Sequence, residues 1–206
     1  MHSEFITSAA NAAGFPKTDL PEFAFVGRSN VGKSSLLNKL AAANIARTSK
    51  TPGRTQLVNF FKVRGGDFEF VLADLPGYGF ARAPRPVRRS WYTLLETYLS
   101  QRKPLRAVLQ LVDLRREVEA EDLEVYRWLS MKKEDSTTEG LGHRVILVGT
   151  KADKLPKSKR KPKIQSLAAK LSIPRHQTLV CSSLDQLGIQ ELRDRLIQIA
   201  DDRHRG

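Results

Sequence analysis

Three observations predict an α/β fold whose mostly parallel sheet is covered by helices on both faces. Short apolar runs alternate with amphipathic stretches along the chain. A loop of the form GxxxxGKS lies between the first apolar run and the first helical stretch. The other motifs also follow apolar runs, as expected where ligands bind beyond the carboxyl ends of parallel strands.

The elements follow in order. Residues 1–21 read as an N-terminal extension with weak helical character, and 22–206 as a single domain. Glu22–Val26 is a short apolar run ending in a glycine, which predicts a buried strand. Lys33–Ala42 reads as a helix, and Lys50–Gln56 as a loop marked by Pro52 and Gly53. Leu57–Val63 and Phe68–Leu72 flank Gly65 and Gly66, a hairpin signal, so one strand should be antiparallel. Arg82–Pro86 is basic and proline-containing and predicts no regular element. Val87–Ser100 reads as a helix with Trp91, Leu94, Leu95, Tyr98 and Leu99 on its core face. Ala107–Val112, Val145–Gly149 and Thr178–Cys181 are further strands. Helices are expected near Val118–Met131, Lys161–Leu171 and Ile189–Ala200, with a polar surface loop over Ser130–Gly142.

Composition bounds the function. A chain of 206 residues, 40% hydrophobic and 28% charged, can bury a core without covalent staples. Its one cysteine, Cys181, excludes an intramolecular disulfide and fits a reducing compartment. The first residues lack a basic start followed by an apolar core, so no secretory signal is expected. No apolar run approaches the roughly 20 residues of a membrane span, so a cytoplasmic location is expected. No zinc pattern or Ser–His–Asp set emerges from four histidines and one cysteine. The formal charge of +13 points to a polyanionic partner, nucleic acid first. Its basic clusters are Arg82, Arg85, Arg88 and Arg89, and then Lys154, Lys157, Lys159, Arg160, Lys161 and Lys163. Few aromatics lie among them, so stacking on single-stranded bases is not indicated.

Three motifs carry chemistry. The first is Gly27-Arg28-Ser29-Asn30-Val31-Gly32-Lys33-Ser34. Its glycines let backbone N–H groups converge on phosphate oxygens, and the following helix adds its positive end. Lys33 is placed to reach the β- and γ-phosphates, and the Ser34 hydroxyl to ligate magnesium. The second is Asp74-Leu75-Pro76-Gly77. Asp74 would hold magnesium, and the Gly77 N–H could sense a γ-phosphate. The third is Thr150-Lys151-Ala152-Asp153. A carboxylate at Asp153 accepts from guanine N1–H and the N2 amino group, a donor pair that adenine lacks. The Lys151 stem can lie along the base. Thr55, within Gly53-Arg54-Thr55-Gln56-Leu57, is a candidate second hydroxyl for magnesium. Cys181, Ser182 and Ser183 should close over the base through backbone N–H groups. Cys181 itself reads as a small buried side chain.

Taken together, GRSNVGKSSLLN, TPGRTQ, DLPGYGFA, VDLRR and TKADK resemble the EngB/YihA-type ribosome-biogenesis GTPases. The resemblance runs from about Glu22 to the C-terminus. It implies a Ras-like fold with a six-stranded mixed sheet and GTP hydrolysed to GDP and phosphate. It implies action as a monomer in assembly of the large ribosomal subunit or its precursor, away from membranes, and a link to cell division and septation. By position it carries phosphate binding to Gly27–Ser34, magnesium to Ser34, Thr55 and Asp74, and catalysis to Lys33, Thr55 and Gly77. Ser183 stands where many GTPases have alanine, but the contact there would use backbone. Asn30 matches an asparagine associated with potassium dependence in related GTPases, which suggests K⁺ as a second ion. Many GTPases place a water-orienting glutamine after the DxxG glycine; this chain has Tyr78, which implies slow intrinsic hydrolysis accelerated by a partner. The arginines at 82–89 would then be ordered by nucleotide state and gate ribosomal contact. Another reading is a constitutive RNA-binding assembly factor that uses nucleotide only structurally. An ATP-dependent kinase shares the phosphate loop but leaves Thr150–Asp153 unexplained.

Overall fold

In a computed structural model the described residues are 2–46, 57–66, 68–79, 85–130 and 143–201, with only the backbone of 85–88. Twelve elements follow one another: β1 (His2–Ala9), β2 (Glu22–Gly27), α1 (Lys33–Ala41), β3 (Val58–Gly65), β4 (Phe68–Asp74), α2 (Arg85–Gln101), β5 (Leu105–Asp113), α3 (Ala120–Ser130), β6 (Arg144–Thr150), α4 (Lys157–Lys170), β7 (Thr178–Val180) and α5 (Ile189–Asp201). Among the described residues, no helix is long and apolar enough to cross a membrane.

One sheet of seven strands runs in the order β1-β3-β4-β2-β5-β6-β7. β3 is antiparallel to both its neighbours, and the other pairings are parallel. The fold class is the expected one, with one strand more than the six expected. The added strand is β1, in the stretch read as weakly helical. Its residues pair with β3 from His2↔Arg64 to Ala9↔Val58, across a register shift between Phe5 and Thr7. The helical expectation fails because β-branched and aromatic residues favour an extended edge once a partner strand is available.

The sheet separates two apolar layers, and β2 shows how. Phe23 and Phe25 face one side with Leu36, Leu37 and Leu40 of α1 and Leu192, Leu196 and Ile199 of α5. Ala24 and Val26 face the other, where α2 contributes Trp91, Leu94, Leu95 and Tyr98. Those four are buried as the helical spacing predicted, and Leu99 packs half-buried at their margin. Two boundaries differ from expectation. α2 begins at Arg85 and so takes in Pro86, which the first turn tolerates because its amides lack intrahelical acceptors. α4 begins at Lys157, four residues early, and carries Pro162 inside it. Pro162 is the sixth residue of the helix and exposed, and having no N–H it cannot donate to Ser158 O.

A buried polar knot lies at the opposite end of β2 from the phosphate loop. Glu22 is fully buried and accepts from Arg102 Nε at 2.9 Å and from the Tyr98 hydroxyl. Arg102 Nη1 also donates to Pro16 O at 3.0 Å, and its guanidinium lies over the Phe15 and Phe60 rings. The pair thus ties the segment after β1 to the sheet.

Candidate nucleotide-binding site

The phosphate loop leaves β2 and enters α1. Asn30 and Gly32 take positive φ, 63° and 106°. Asn tolerates the left-handed region and glycine occupies it without strain, which is why the loop needs these residue types. Gly32 precedes the first helical residue, so the free amides of the first α1 turn point toward the loop. Gly77 lies against it: a Cβ there would approach Ser29 Oγ to 3.2 Å and Gly27 O to 3.3 Å. Backbone bonds join the two motifs, Ser29 N to Tyr78 O at 2.9 Å and Tyr78 N to Gly27 O at 3.1 Å.

The three predicted motifs meet at this end of the sheet. The Lys33 ammonium is ion-paired with the Asp74 carboxylate, and both are nearly buried. Thr150 Oγ1 donates to Val31 O at 2.7 Å, with Val112 O at 3.1 Å. Lys151, held at φ 58°, sends its ammonium to Asn30 O at 2.7 Å. Asp153 Oδ1 accepts from Ser182 Oγ at 2.8 Å, and Lys154 lies 3.4 Å from Oδ2. Ala152 N donates to Cys181 O at 3.3 Å, which joins the third motif to the last loop. Leu75, Val31 and Ala152 are buried supports of these loops. Arg28 Nη1 pairs with Glu119 at 2.5 Å. Pro76 O accepts from Trp91 Nε1 at 2.8 Å, which fixes the second motif on α2. Cys181 is buried, and burial pushes its thiol up to about 12, so it stays a neutral packing group as expected. Ser183 lies in the turn that follows. Gly53, Arg54, Thr55 and Gln56 lie outside the described residues, as do Arg82 and all but Ser130 of the loop expected over Ser130–Gly142. Leu57 is half-buried just before β3.

Two side chains have roles here that the motif reading missed. Ser182 was expected to act through its backbone, yet its buried hydroxyl orients Asp153. Asp113 closes β5 directly beside Thr150 in register. Its carboxylate takes Lys151 Nζ at 3.1 Å, Arg115 Nη2 at 2.7 Å and the Arg115 amide at 3.0 Å. Burial would raise the Asp113 carboxyl, but Arg115 and Lys151 outweigh it and hold the group far below the usual carboxylate range. The position of Asp113 at a strand's carboxyl end, matching Asp74, is the signal that could have found it.

Tyr78 is turned into the core. Its hydroxyl donates to Asp122 Oδ1 at 2.7 Å and lies 3.4 Å from Gln110 Nε2, while its ring meets Trp91 edge-on. Burial first, and then the Asp122 charge, raises the phenol well above its ordinary value. Removing the hydroxyl with Tyr78→Phe leaves Asp122 short of a buried donor. A loss of about 1–3 kcal/mol is expected, read as a lower thermal midpoint with nucleotide binding retained. An unchanged midpoint would show that the bond contributes nothing.

The donor set around Lys33 and Asp74 suits a divalent ion of the magnesium kind. Ser34 supplies a hydroxyl and Asp74 a nearly buried carboxylate, both hard oxygen donors, and such sites complete their shells with phosphate oxygens. Residues 22–151 match the family model described as 50S ribosome-binding GTPase. A protein of Trichlorobacter lovleyi designated a probable GTP-binding protein EngB is 45% identical over 185 residues, 89% of this chain and 88% of that one. The protein of Streptococcus gordonii with the same designation is 40% identical over 199 residues, 96% and 95% of the two chains. A crystal structure of a probable GTP-binding protein engB superposes with a TM-score of 0.65 at 24% identity, covering 88% of this chain and 99% of that one. Era, solved with MgGDPNP and nucleotides 1506–1542 of 16S ribosomal RNA, gives a TM-score of 0.68 at 22% identity, covering 87% and 56%. The two solved structures establish the shared fold, and the sequence matches go further. With a GTPase family model over more than half its length and relatives above 40% identity along nearly all of it, the chain belongs to the EngB family of GTP-binding proteins.

Proposed function

We propose that this GTPase is a nucleotide-dependent switch in assembly of the large ribosomal subunit, acting in the cytoplasm and linked to cell division and septation. The observation that carries the switch is the joining of Tyr78, the residue after Gly77, to the phosphate loop by two backbone bonds. A γ-phosphate sensed at the Gly77 N–H would act on that seam through the adjoining residue. The family model's ribosome-binding description and the +13 charge support a ribosomal partner.

Bound magnesium would neutralise phosphate charge, held by Ser34, Asp74 and Thr55. Lys33 must exchange its Asp74 partner for phosphate oxygens when nucleotide enters. Asp153, oriented by Ser182, selects guanine, and Lys151, held between Asn30 and Asp113, supports the base. The Tyr78 hydroxyl is committed to Asp122, so the residue after Gly77 does not orient the attacking water. Hydrolysis by the chain alone is therefore slow, and a partner supplies the missing positioning. Arg85, Arg88 and Arg89, just beyond the second motif, gate ribosomal contact. The Asn30 resemblance also makes potassium an activator: turnover should be faster in potassium than in sodium, and equal rates would remove potassium from the account.

Sedimentation of cell extract with GDP or a non-hydrolysable GTP analogue tests the reading. Association with large-subunit particles in one nucleotide state is expected. Equal association in both states would replace the switch with a constitutive binding factor, and association with no ribosomal particle would overturn the ribosomal role.

A further inference from the structure

The charge of this chain is unevenly placed. Between Lys154 and Leu184 lie eight of its 35 lysines and arginines and none of its 22 aspartates and glutamates. That stretch holds the lysine that follows the third motif, all of α4 and β7. Four of its cations are already engaged. Lys163 and Lys170 pair with Glu117, Lys154 lies against Asp153, and Arg160 Nε donates to Leu155 O at 3.0 Å. Lys157, Lys159 and Lys161 are exposed, and no ion pair joins them to an acid among the described residues.

This arrangement works against the helix that carries it. Cations in a first turn oppose the positive end of the helix dipole, and α4 has basic residues there, no acid, and no side-chain cap. Lys157 and Lys161 are one turn apart, so they project side by side and repel each other. A merely solvating surface would mix the two signs. We infer that the exposed lysines of α4, Lys157 and Lys161 foremost, form a docking surface for the phosphate backbone of structured RNA. The inference deepens the ribosomal reading above by naming the surface that would meet the RNA.

The chemistry favours RNA over other polyanions. A helix that binds a membrane surface must present an apolar face to the lipid. The apolar face of α4, Ile164, Leu167 and Ala168, is buried against β6 and the loop after β5. The outer face carries no aromatic side chain on which an unpaired base could stack. Point charges with free rotation suit phosphates read without regard to sequence. The surface also follows the Asp153 loop directly, so docked RNA would lie beside the guanine end of the nucleotide site.

The test compares two exposed pairs with equal loss of charge. Lys157→Gln/Lys161→Gln removes the α4 pair, and Lys17→Gln/Lys103→Gln removes two exposed lysines flanking the other end of the sheet. Each full-length variant, loaded with GDP or a non-hydrolysable GTP analogue, is titrated with deproteinised large-subunit RNA at several salt concentrations. The α4 pair should weaken binding roughly ten- to fiftyfold near 0.1 M salt and flatten the slope of log K against log salt by about two. The control pair should leave that slope unchanged, and both variants should bind guanine nucleotide as the parent does. Retention of the full slope by the α4 variant, or an equal loss in the control, would overturn the surface. Binding to anionic vesicles in place of RNA would overturn it as well. In the sedimentation experiment, an α4 variant that joins particles like the parent sinks this surface alone. A parent chain that joins none sinks the ribosomal reading and the surface together.

Discussion

Asp153→Asn should weaken GTP binding by roughly 10²–10⁴-fold and transfer preference to xanthine nucleotides. The carboxylate stands ready for the base: Ser182 Oγ donates to Oδ1 at 2.8 Å, which fixes the plane of the group. Guanine would bring two donors to it, and a charge-assisted hydrogen bond is worth about 1.5–3 kcal/mol. An asparagine amide turns one acceptor into a donor that faces a donor on guanine. Xanthine has a carbonyl where guanine has the amino group, so the same amide suits it. Titration with labelled GTP and XTP reads the result. Unchanged affinity for both would remove Asp153 from base recognition. Ser182→Ala should show a smaller loss in the same direction, because it frees the carboxylate without removing it.

Arg102→Leu should cost about 3–5 kcal/mol of stability, because it strands the Glu22 carboxylate in the core. For a chain of this size that corresponds to a thermal midpoint lower by roughly 6–20 °C. The substitution also removes the donor to Pro16 O and the cation over Phe15 and Phe60, so the segment after β1 loses its tie to the sheet. Arg102→Leu combined with Glu22→Leu should recover much of the loss, since no unpaired charge remains buried. A midpoint within about 2 °C of the parent for the single variant would show that Glu22 finds another partner or protonates without penalty. Nucleotide affinity should change little, because the knot lies at the far end of β2 from Gly27.

The strand-loop-helix from Glu22 to Ala41 was legible because its signals are local. Apolar residues fill β2, and the glycine spacing with its lysine and serine admits one kind of loop. The strands carrying Asp74 and Thr150 were legible for the same reason, and their motifs lie at the carboxyl ends of strands parallel to β2 as that pattern requires. β1 was not legible. An edge strand buries little, only Ala9 of its eight residues is buried, and its conformation depends on β3 about fifty residues away. The start of α4 was not legible because Lys157–Arg160 offer no apolar residue to set a helical period and no side-chain cap.

The amino-acid sequence by itself determined the phosphate loop, its two companion motifs and the alternating strands and helices that present them. These depend on residues near one another along the chain. Tertiary structure alone decided who holds whom across the sheet. Asp113 holds Lys151 from the next strand, Ser182 orients Asp153 across 29 positions, and Asp122 takes the Tyr78 hydroxyl across 44. A buried polar side chain must find a partner wherever the fold supplies one. That partner is set by the order and register of the strands, which no local pattern encodes.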